Sequence, residues 1–137
     1  MIRTGKLSVA LPPKEAFRLF TPLGEREWVD HWEPHFPDPV EDDSAPGTVF
    51  QTTGHGGTTT WVVVDREPGR RVRYARIAQG TAGTVEVVLD EAEGGSEVTV
   101  TYELTALTED ARPELAGFAE HYPEFLREWH DAIARIT

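Results

Sequence analysis

The segment Trp28–Asp38, WVDHWEPHFPD, holds the densest group of side chains that could carry chemistry in this chain. Its two histidines, His31 and His35, stand four residues apart, as two metal ligands on one helix face would. The proline between them argues against a continuous helix, and spacing fixes no third ligand. HWEPH is also not the His-Glu-x-x-His motif of zinc proteases. We therefore predict no metal site and no cofactor in this segment.

The two tryptophans of the same segment, Trp28 and Trp32, are also four residues apart. One interpretation is that they anchor a short helix to the core. The other is that they line the mouth of a pocket, since large aromatic side chains often serve as wall and core together. His31 is a weaker candidate for the same pocket.

The segment RRVRYAR contains the most pointed candidate for ligand recognition, Arg76. Strand alternation places Val72, Tyr74 and Arg76 on one face, which we predict to be the inner one. A buried guanidinium needs a partner. Alternation puts Glu86 and Glu103 on outer faces, so a carboxylate or enolate of a ligand, gripped bidentately, is one option. The other is an arginine at the rim with its stem along the sheet.

The last segment of the chain carries an aromatic stripe at helical spacing that includes Phe118, Tyr122 and Phe125. Such a stripe is usually core. Pro123 falls inside it, should kink the helix, and leaves one carbonyl, that of Ala119, without its usual donor. A bent helix opens space beneath it. Beside the stripe, His121 is the candidate acid–base group if chemistry occurs; the alternative is a solvated histidine at the helix edge.

Composition excludes several classes of function. The 137 residues include 24 acids, 13 bases and no cysteine, for a net charge of −11. Such a surface repels phosphate backbones and anionic lipid headgroups, so we expect no nucleic-acid binding and no membrane insertion. The absence of cysteine and of a signal peptide favours the cytoplasm. We expect one domain over residues 1–137, as a monomer or homodimer.

The elements that must position these residues follow from periodicity and turn signals. Strands are predicted over 3–11, 48–53, 58–66, 71–78, 84–91 and 97–107, with turns at 54–57, 67–70 and 93–96. Gly80 and Gly83 are expected to end the fourth strand. Two short helical stretches, 14–20 and 25–29, follow the first strand, and one long helix with Asp110 as its N-cap closes the chain. This order predicts an α+β fold, with a curved antiparallel sheet of about six strands around the last helix and a cavity between them.

Six segments carry a resemblance to a known family: PPKEAFRLFT, EREWVDHWEP, PGTVFQTT, TTTWVVVDREPGRRVRYAR, GTVEVVLDE with GGSEVTVTYELTAL, and FAEHYPEFLREWHDAI. Together the chain resembles the START/polyketide cyclase-like (SRPBCC) superfamily, the helix-grip fold. The resemblance implies an apolar ligand between the sheet and the last helix. Some members are cyclases, dehydratases or hydrolytic enzymes, and many only bind or carry, so fold similarity alone does not choose among them.

We therefore predict binding of a small hydrophobic or amphipathic molecule. The alternatives are a cyclase/dehydratase-type enzyme, in which Arg76, Tyr74 and His121 polarise a carbonyl and move a proton, and a protein-interaction module. The residues predicted to line the cavity are Trp28, Trp32, Phe50, Trp61, Tyr74, Arg76, Phe118, His121, Tyr122 and Phe125.

Overall fold

The computed structural model describes residues 1–54 and 57–137, which form one antiparallel sheet with helices on its concave side. The strands are β1 (Ile2–Val9), β2 (Val49–Gly54), β3 (Gly57–Glu67), β4 (Arg71–Ala78), β5 (Thr81–Ala92) and β6 (Gly95–Ala106). The helices are α1 (Pro13–Ala16), α2 (Ala111–Glu120) and α3 (Tyr122–Ala134), with 3₁₀ helices at Phe17–Phe20 and Gly24–Glu27. The sheet order is β1-β6-β5-β4-β3-β2. The predicted α+β helix-grip fold is confirmed.

Strand alternation places the core on one face of the sheet, as predicted. On β5 the buried side chains are Val85, Val87 and Leu89, and on β6 they include Val98 and Val100. Because successive strand residues point to opposite faces, the residues between them contact solvent on the convex side. The same pattern buries Val72 and Tyr74 on β4 and Trp61 and Val63 on β3.

Glycines determine two features of the β5–β6 hairpin: the conformation of its turn and the close approach of its two strands. Between β5 and β6 a two-residue turn, Glu93 and Gly94, joins the paired residues Ala92 and Gly95, and Gly94 has a φ of +81°. Gly83 does not end a strand, contrary to the prediction, since β5 runs through it. A Cβ at Gly83 would lie 1.9 Å from a main-chain oxygen of β6, so glycine serves there for close strand approach. The predicted turn at 54–57 falls partly outside the described residues.

The closing helix is divided in two, where one kinked helix was predicted. α2 ends at Glu120, and α3 begins at Tyr122, because His121 leaves helical geometry with a ψ of 18°. Pro123 lacks the N–H that would bond the Ala119 carbonyl. That carbonyl instead accepts a hydrogen bond from Arg3 Nε at 3.1 Å. The predicted orphan carbonyl is thus satisfied by β1.

The N-terminus of α2 corrects a second prediction. Asp110 has helical dihedrals, φ −64° and ψ −28°, and its side chain makes no capping hydrogen bond. Thr108 Oγ1 accepts from the Ala111 amide at 3.2 Å and takes the place expected of the aspartate.

No helix in residues 1–54 and 57–137 has the length and apolar character required to cross a membrane.

α3 lies directly on β1, which fixes the position of the helix on the sheet. A Cβ at Gly5 would lie 2.4 Å from Leu126 Cδ1, so only glycine allows this approach without displacing the leucine. From the same helix the Tyr122 hydroxyl donates to the Val100 carbonyl at 2.7 Å. The helix therefore covers the sheet at its β1 edge.

Candidate functional site

A cavity of about 730 Å³ opens on the concave face, between the sheet, the 3₁₀ helix Gly24–Glu27 and the helices α2 and α3. Seven of the ten predicted residues line it: Trp32, Phe50, Trp61, Tyr74, Arg76, Phe118 and Phe125. The sequence therefore brings most of the predicted set together in space, around a volume large enough for a small organic ligand.

Three predicted residues do not line this cavity in the described structure. Trp28 is buried in the core, where its Nε1 donates to the Leu19 carbonyl at 2.7 Å and its ring lies 5.1 Å from that of Trp129. Tyr122 is buried between α3 and the sheet. His121 is exposed at the break between α2 and α3. Trp28 and Tyr122 therefore pack in the core, and His121 contacts solvent.

Residues 29–32 of the segment WVDHWEPHFPD lie at the edge of the cavity. His35 pairs with Gln51 of β2 through two main-chain hydrogen bonds of 2.8 Å, which extends the edge of the sheet by one bridge. Trp32 is held over the cavity because its Nε1 donates to the Pro22 carbonyl at 2.7 Å. Between them His31 adopts a φ of +61° and is exposed at the rim. Within the described ranges no cluster of three or more His, Asp or Glu side chains could hold a metal ion.

The walls of the cavity are aromatic. The rings of Phe50 and Trp61 stack with centroids 5.9 Å apart and an interplanar angle of 4°. Tyr74 meets both rings edge-on at 6.1 Å. From the helix side, Phe118 and Phe125 present their rings to the same space, 5.0 Å from each other. Flat rings on both sides favour a planar apolar guest.

Arg76 brings a positive charge into this aromatic wall. Its guanidinium lies 5.5 Å from the centre of the Trp61 ring, and its Nη1 donates to Thr81 Oγ1 at 3.3 Å. No carboxylate of residues 1–54 and 57–137 lies within 4.0 Å of it. Glu86, one of the two carboxylates considered from the sequence, is on the outer face, 3.7 Å from Arg71. The guanidinium therefore has donors left for an anion inside the cavity.

Glu25 is a cavity residue that the sequence analysis missed. It lies on the 3₁₀ helix Gly24–Glu27 and contributes to the cavity wall. Its carboxyl makes no hydrogen bond or ion pair with any described residue, and burial raises its pKa well above the usual range. No signal in the sequence marks this position, because the surrounding run GERE is polar throughout.

Tyr102 of β6 is a second cavity residue that the sequence analysis missed, and the charges of Arg76 and Glu25 both affect the pKa of its hydroxyl. It lines the cavity, and the hydroxyl has no hydrogen-bond partner in the described part of the chain. Burial is the main cause that raises its pKa; the charge of Arg76 lowers the pKa and the charge of Glu25 raises it. By contrast, the Tyr74 hydroxyl is occupied, since it donates to the Phe20 carbonyl at 2.6 Å.

These groups define what the site can do chemically. Arg76 can bind an anionic oxygen, the stacked rings can hold a flat apolar body, and Glu25 and Tyr102 offer polar groups to a ligand. The set considered for an enzyme, namely Arg76, Tyr74 and His121, is not assembled. The Tyr74 hydroxyl is engaged by the backbone, and His121 lies outside the cavity.

Comparison with solved structures places the fold among several bacterial proteins. Protein MLL2253 from Mesorhizobium loti superposes with a TM-score of 0.70 at 17% identity, covering 100% of this chain and 99% of that one. The Aha1 dimer from Colwellia psychrerythraea gives 0.66 at 18% identity, with 97% and 96% covered. DynU16, a putative protein in the dynemicin biosynthetic locus, gives 0.65 at 18% identity, covering 95% of this chain and 46% of that one. These TM-scores show a shared fold.

Sequence comparison identifies the family. No protein of curated function matches the chain significantly. A family model described as "Polyketide cyclase / dehydrase and lipid transport" matches residues 4–136, nearly the whole sequence. The chain therefore belongs to the polyketide cyclase / dehydrase and lipid transport family.

Proposed function

We propose that the protein binds a small, largely planar apolar molecule that carries an anionic group, and that Arg76 holds this group inside the aromatic cavity. The observation that carries the proposal is the guanidinium beside Trp61 with no carboxylate of the described residues within 4.0 Å. Family membership supports an apolar ligand, and the charge of Arg76 adds its anionic end.

The surroundings of Arg76 favour binding of an anion by its guanidinium over simple contact of the guanidinium with solvent. Among the described residues that line the cavity, Arg76 is the one arginine or lysine. The acids Asp30 and Glu114 also reach the cavity but are exposed, so solvent screens them. A guanidinium over an aromatic ring is partly desolvated, which strengthens its attraction for an anion. An apolar carboxylate or enolate satisfies both the rings and the charge.

Calorimetric titration with naphthalene-2-sulfonate tests this function, because the probe combines a flat apolar body with a permanent negative charge. We expect Arg76→Met to weaken binding by about 10-fold to 150-fold, the loss of a charge-assisted hydrogen bond worth about 1.5–3 kcal/mol. The matched control is Arg70→Met, which removes the same charge from an exposed position just before β4. Neutral 2-acetylnaphthalene should bind both variants as it binds the wild type.

Two outcomes would contradict the proposal. Equal affinity of Arg76→Met and wild type for the sulfonate would show that Arg76 is no ligand anchor. Failure of both naphthalene probes to bind would show that the cavity does not receive a planar apolar guest. Native mass spectrometry of the protein purified from its own host then identifies the natural ligand, which we expect to be an apolar molecule that carries a carboxylate or enolate.

A further inference from the structure

The outer face of the sheet, which is the side opposite the cavity, carries an arginine without an ionic partner. Arg73 of β4 lies between Val72 and Tyr74, which are both buried on the cavity side, so its own side chain belongs to the outer face. Its Nε is shielded from solvent and has no hydrogen-bond partner in residues 1–54 and 57–137. Because shielded polar atoms are normally paired, this nitrogen points to a partner that a single copy of the chain does not supply.

The two carboxylates nearest to Arg73 along the sheet are taken by another arginine. Asp65 of β3 and Glu86 of β5 are the residues paired directly with Arg73 across the strands. Arg71, two residues earlier on β4, donates to Asp65 at 2.7 Å and lies 3.7 Å from Glu86. The guanidinium of Arg73 is therefore left with donors that could grip a further carboxylate side by side.

A carboxylate without an ion pair lies two strands away on the same face. Glu103 of β6 is exposed between Tyr102 and Leu104, which are buried on the cavity side. Its carboxyl makes no hydrogen bond or ion pair with any described residue, and its neighbours across the strands are Ile2 on β1 and Thr84 on β5. Since adjacent strands lie about 4.8 Å apart, about 10 Å separates β6 from β4. Within one copy the two unpaired charges do not meet.

Apolar side chains accompany both charges on the outer face. Val49 pairs with Val62, and Val62 pairs with Ala75, so apolar surface crosses three strands beside the arginine. The exposed apolar residues of this region are Val49 on β2, Val64 on β3 and Ile77 on β4. On the other side of β5, Ile2 is exposed next to Glu103. Exposed apolar surface that is rimmed by polar groups marks sites of protein–protein contact.

We propose that the outer face binds a second copy of this chain, about a two-fold axis that lies between the two sheets and runs along β5. Rotation about this axis places β6 of each copy over β4 of the other, and β1 over β3. Glu103 then approaches Arg73 of the partner copy, and Ile2 approaches Val62 of the partner copy. Sheets that pack face to face lie about 10 Å apart, a gap that an arginine and a glutamate side chain span together.

Charge complementarity favours a second copy as the occupant. The net charge of −11 opposes association of like chains, so a contact between copies must bring opposite charges together. The outer face does so twice, because two-fold symmetry repeats the pair of Arg73 and Glu103. The cavity opens on the opposite side of the sheet, so this inference does not depend on the ligand.

Sedimentation equilibrium from about 1 μM to 1 mM protein measures the association. We expect the wild type to dimerise in this range. Arg73→Glu and Glu103→Arg should each weaken the dimer by about 10-fold to 100-fold, because each variant places like charges at both contacts. The matched control is Arg70→Glu, which makes the same change in net charge at an exposed position just before β4 and should dimerise as the wild type does.

A mixture of the two single variants gives the decisive result. When Arg73→Glu meets Glu103→Arg, both contacts across the interface again join opposite charges, so the mixture should form a dimer that neither variant forms alone. Circular dichroism checks that each variant is folded. If Arg73→Glu does not fold beside Asp65 and Glu86, Arg73→Met tests the same contact and should also weaken the dimer.

Three outcomes would overturn the proposal. One is a wild type that stays monomeric up to about 1 mM. Another is a dimer that Arg73→Glu leaves unchanged, or that the mixture does not restore, since the contact between copies then lies elsewhere. The third is a monomeric wild type that binds a glutamate-rich peptide through Arg73, which would assign the outer face to a different protein partner.

Discussion

Three buried tyrosines, Tyr74, Tyr102 and Tyr122, allow the partners of their hydroxyls to be tested without any ligand, by replacing each tyrosine with phenylalanine. In the structure Tyr74 donates to the Phe20 carbonyl at 2.6 Å, and Tyr122 donates to the Val100 carbonyl at 2.7 Å. Tyr102 has no such partner among the described residues. The same chemical change should therefore have different consequences for the free energy of unfolding at the three positions.

The expected magnitudes follow from these contacts. Loss of a buried donor that leaves a carbonyl unsatisfied costs about 1–3 kcal/mol, so Tyr74→Phe and Tyr122→Phe should each be destabilised by that amount. With about 2.1 cal/mol/K of unfolding entropy per residue, a domain of this size loses about 3–4 °C per kcal/mol. Melting temperatures should fall by about 4–10 °C. Tyr102→Phe should stay within about 0.5 kcal/mol of the wild type, because no intramolecular bond is removed.

Urea unfolding followed by circular dichroism measures these differences, and an unchanged m-value shows that the denatured state is comparable in each variant. The decisive comparison is Tyr102→Phe against Tyr122→Phe. If the two variants lose equal stability, the Tyr102 hydroxyl has a partner inside the folded protein and is not available to a ligand.

Two further predictions concern stability. Glu25→Gln should stabilise the ligand-free protein at neutral pH, because the raised pKa of Glu25 means that folding favours its protonated form. In the wild type this contribution to stability is present below the unfolded pKa of about 4.3 and is lost as the pH rises through the folded pKa. Urea unfolding at several pH values checks this, and a gain that does not shrink on acidification contradicts it. Gly83→Ala should cost about 1–3 kcal/mol, because its Cβ would lie 1.9 Å from a main-chain oxygen of β6. The matched control is Gly117→Ala in α2, where the new Cβ would meet nothing within 4 Å beyond its chain neighbours and its own helix backbone. This variant should gain up to about 1 kcal/mol in thermal unfolding, and equal effects at the two glycines would refute the packing argument.

The sheet could be predicted from the sequence because burial on one face imposes a period of two. Val85, Val87 and Leu89 on β5 show that period without interruption, and the structure buries all three. Gly83 misled the prediction for a physical reason. A glycine that allows close strand approach and a glycine that ends a strand look identical in sequence, since both simply lack a side chain.

Glu25 could not be placed in the cavity from the pattern around it. The run GERE is strongly polar, as is typical of an exposed turn. The partial burial of Glu25 depends on where the 3₁₀ helix Gly24–Glu27 lies relative to the sheet, which is a tertiary property. Thr108 replaced Asp110 as the partner of the α2 N-terminus for a similar reason, because both residue types favour that position and only the chain path selects one.

The aromatic stripe of the last segment shows where sequence reasoning stops and why. Its spacing predicts one apolar face, but the structure separates two. Tyr122, Leu126 and Ile133 are buried against the sheet, whereas Phe125 and Trp129, half-buried, line the cavity. Hydrophobicity indicates that a side chain avoids water; it does not indicate whether its neighbour is protein or empty space. A half-buried side chain on a cavity wall still has apolar surface that a guest can cover, and this property makes the second face the proposed binding face.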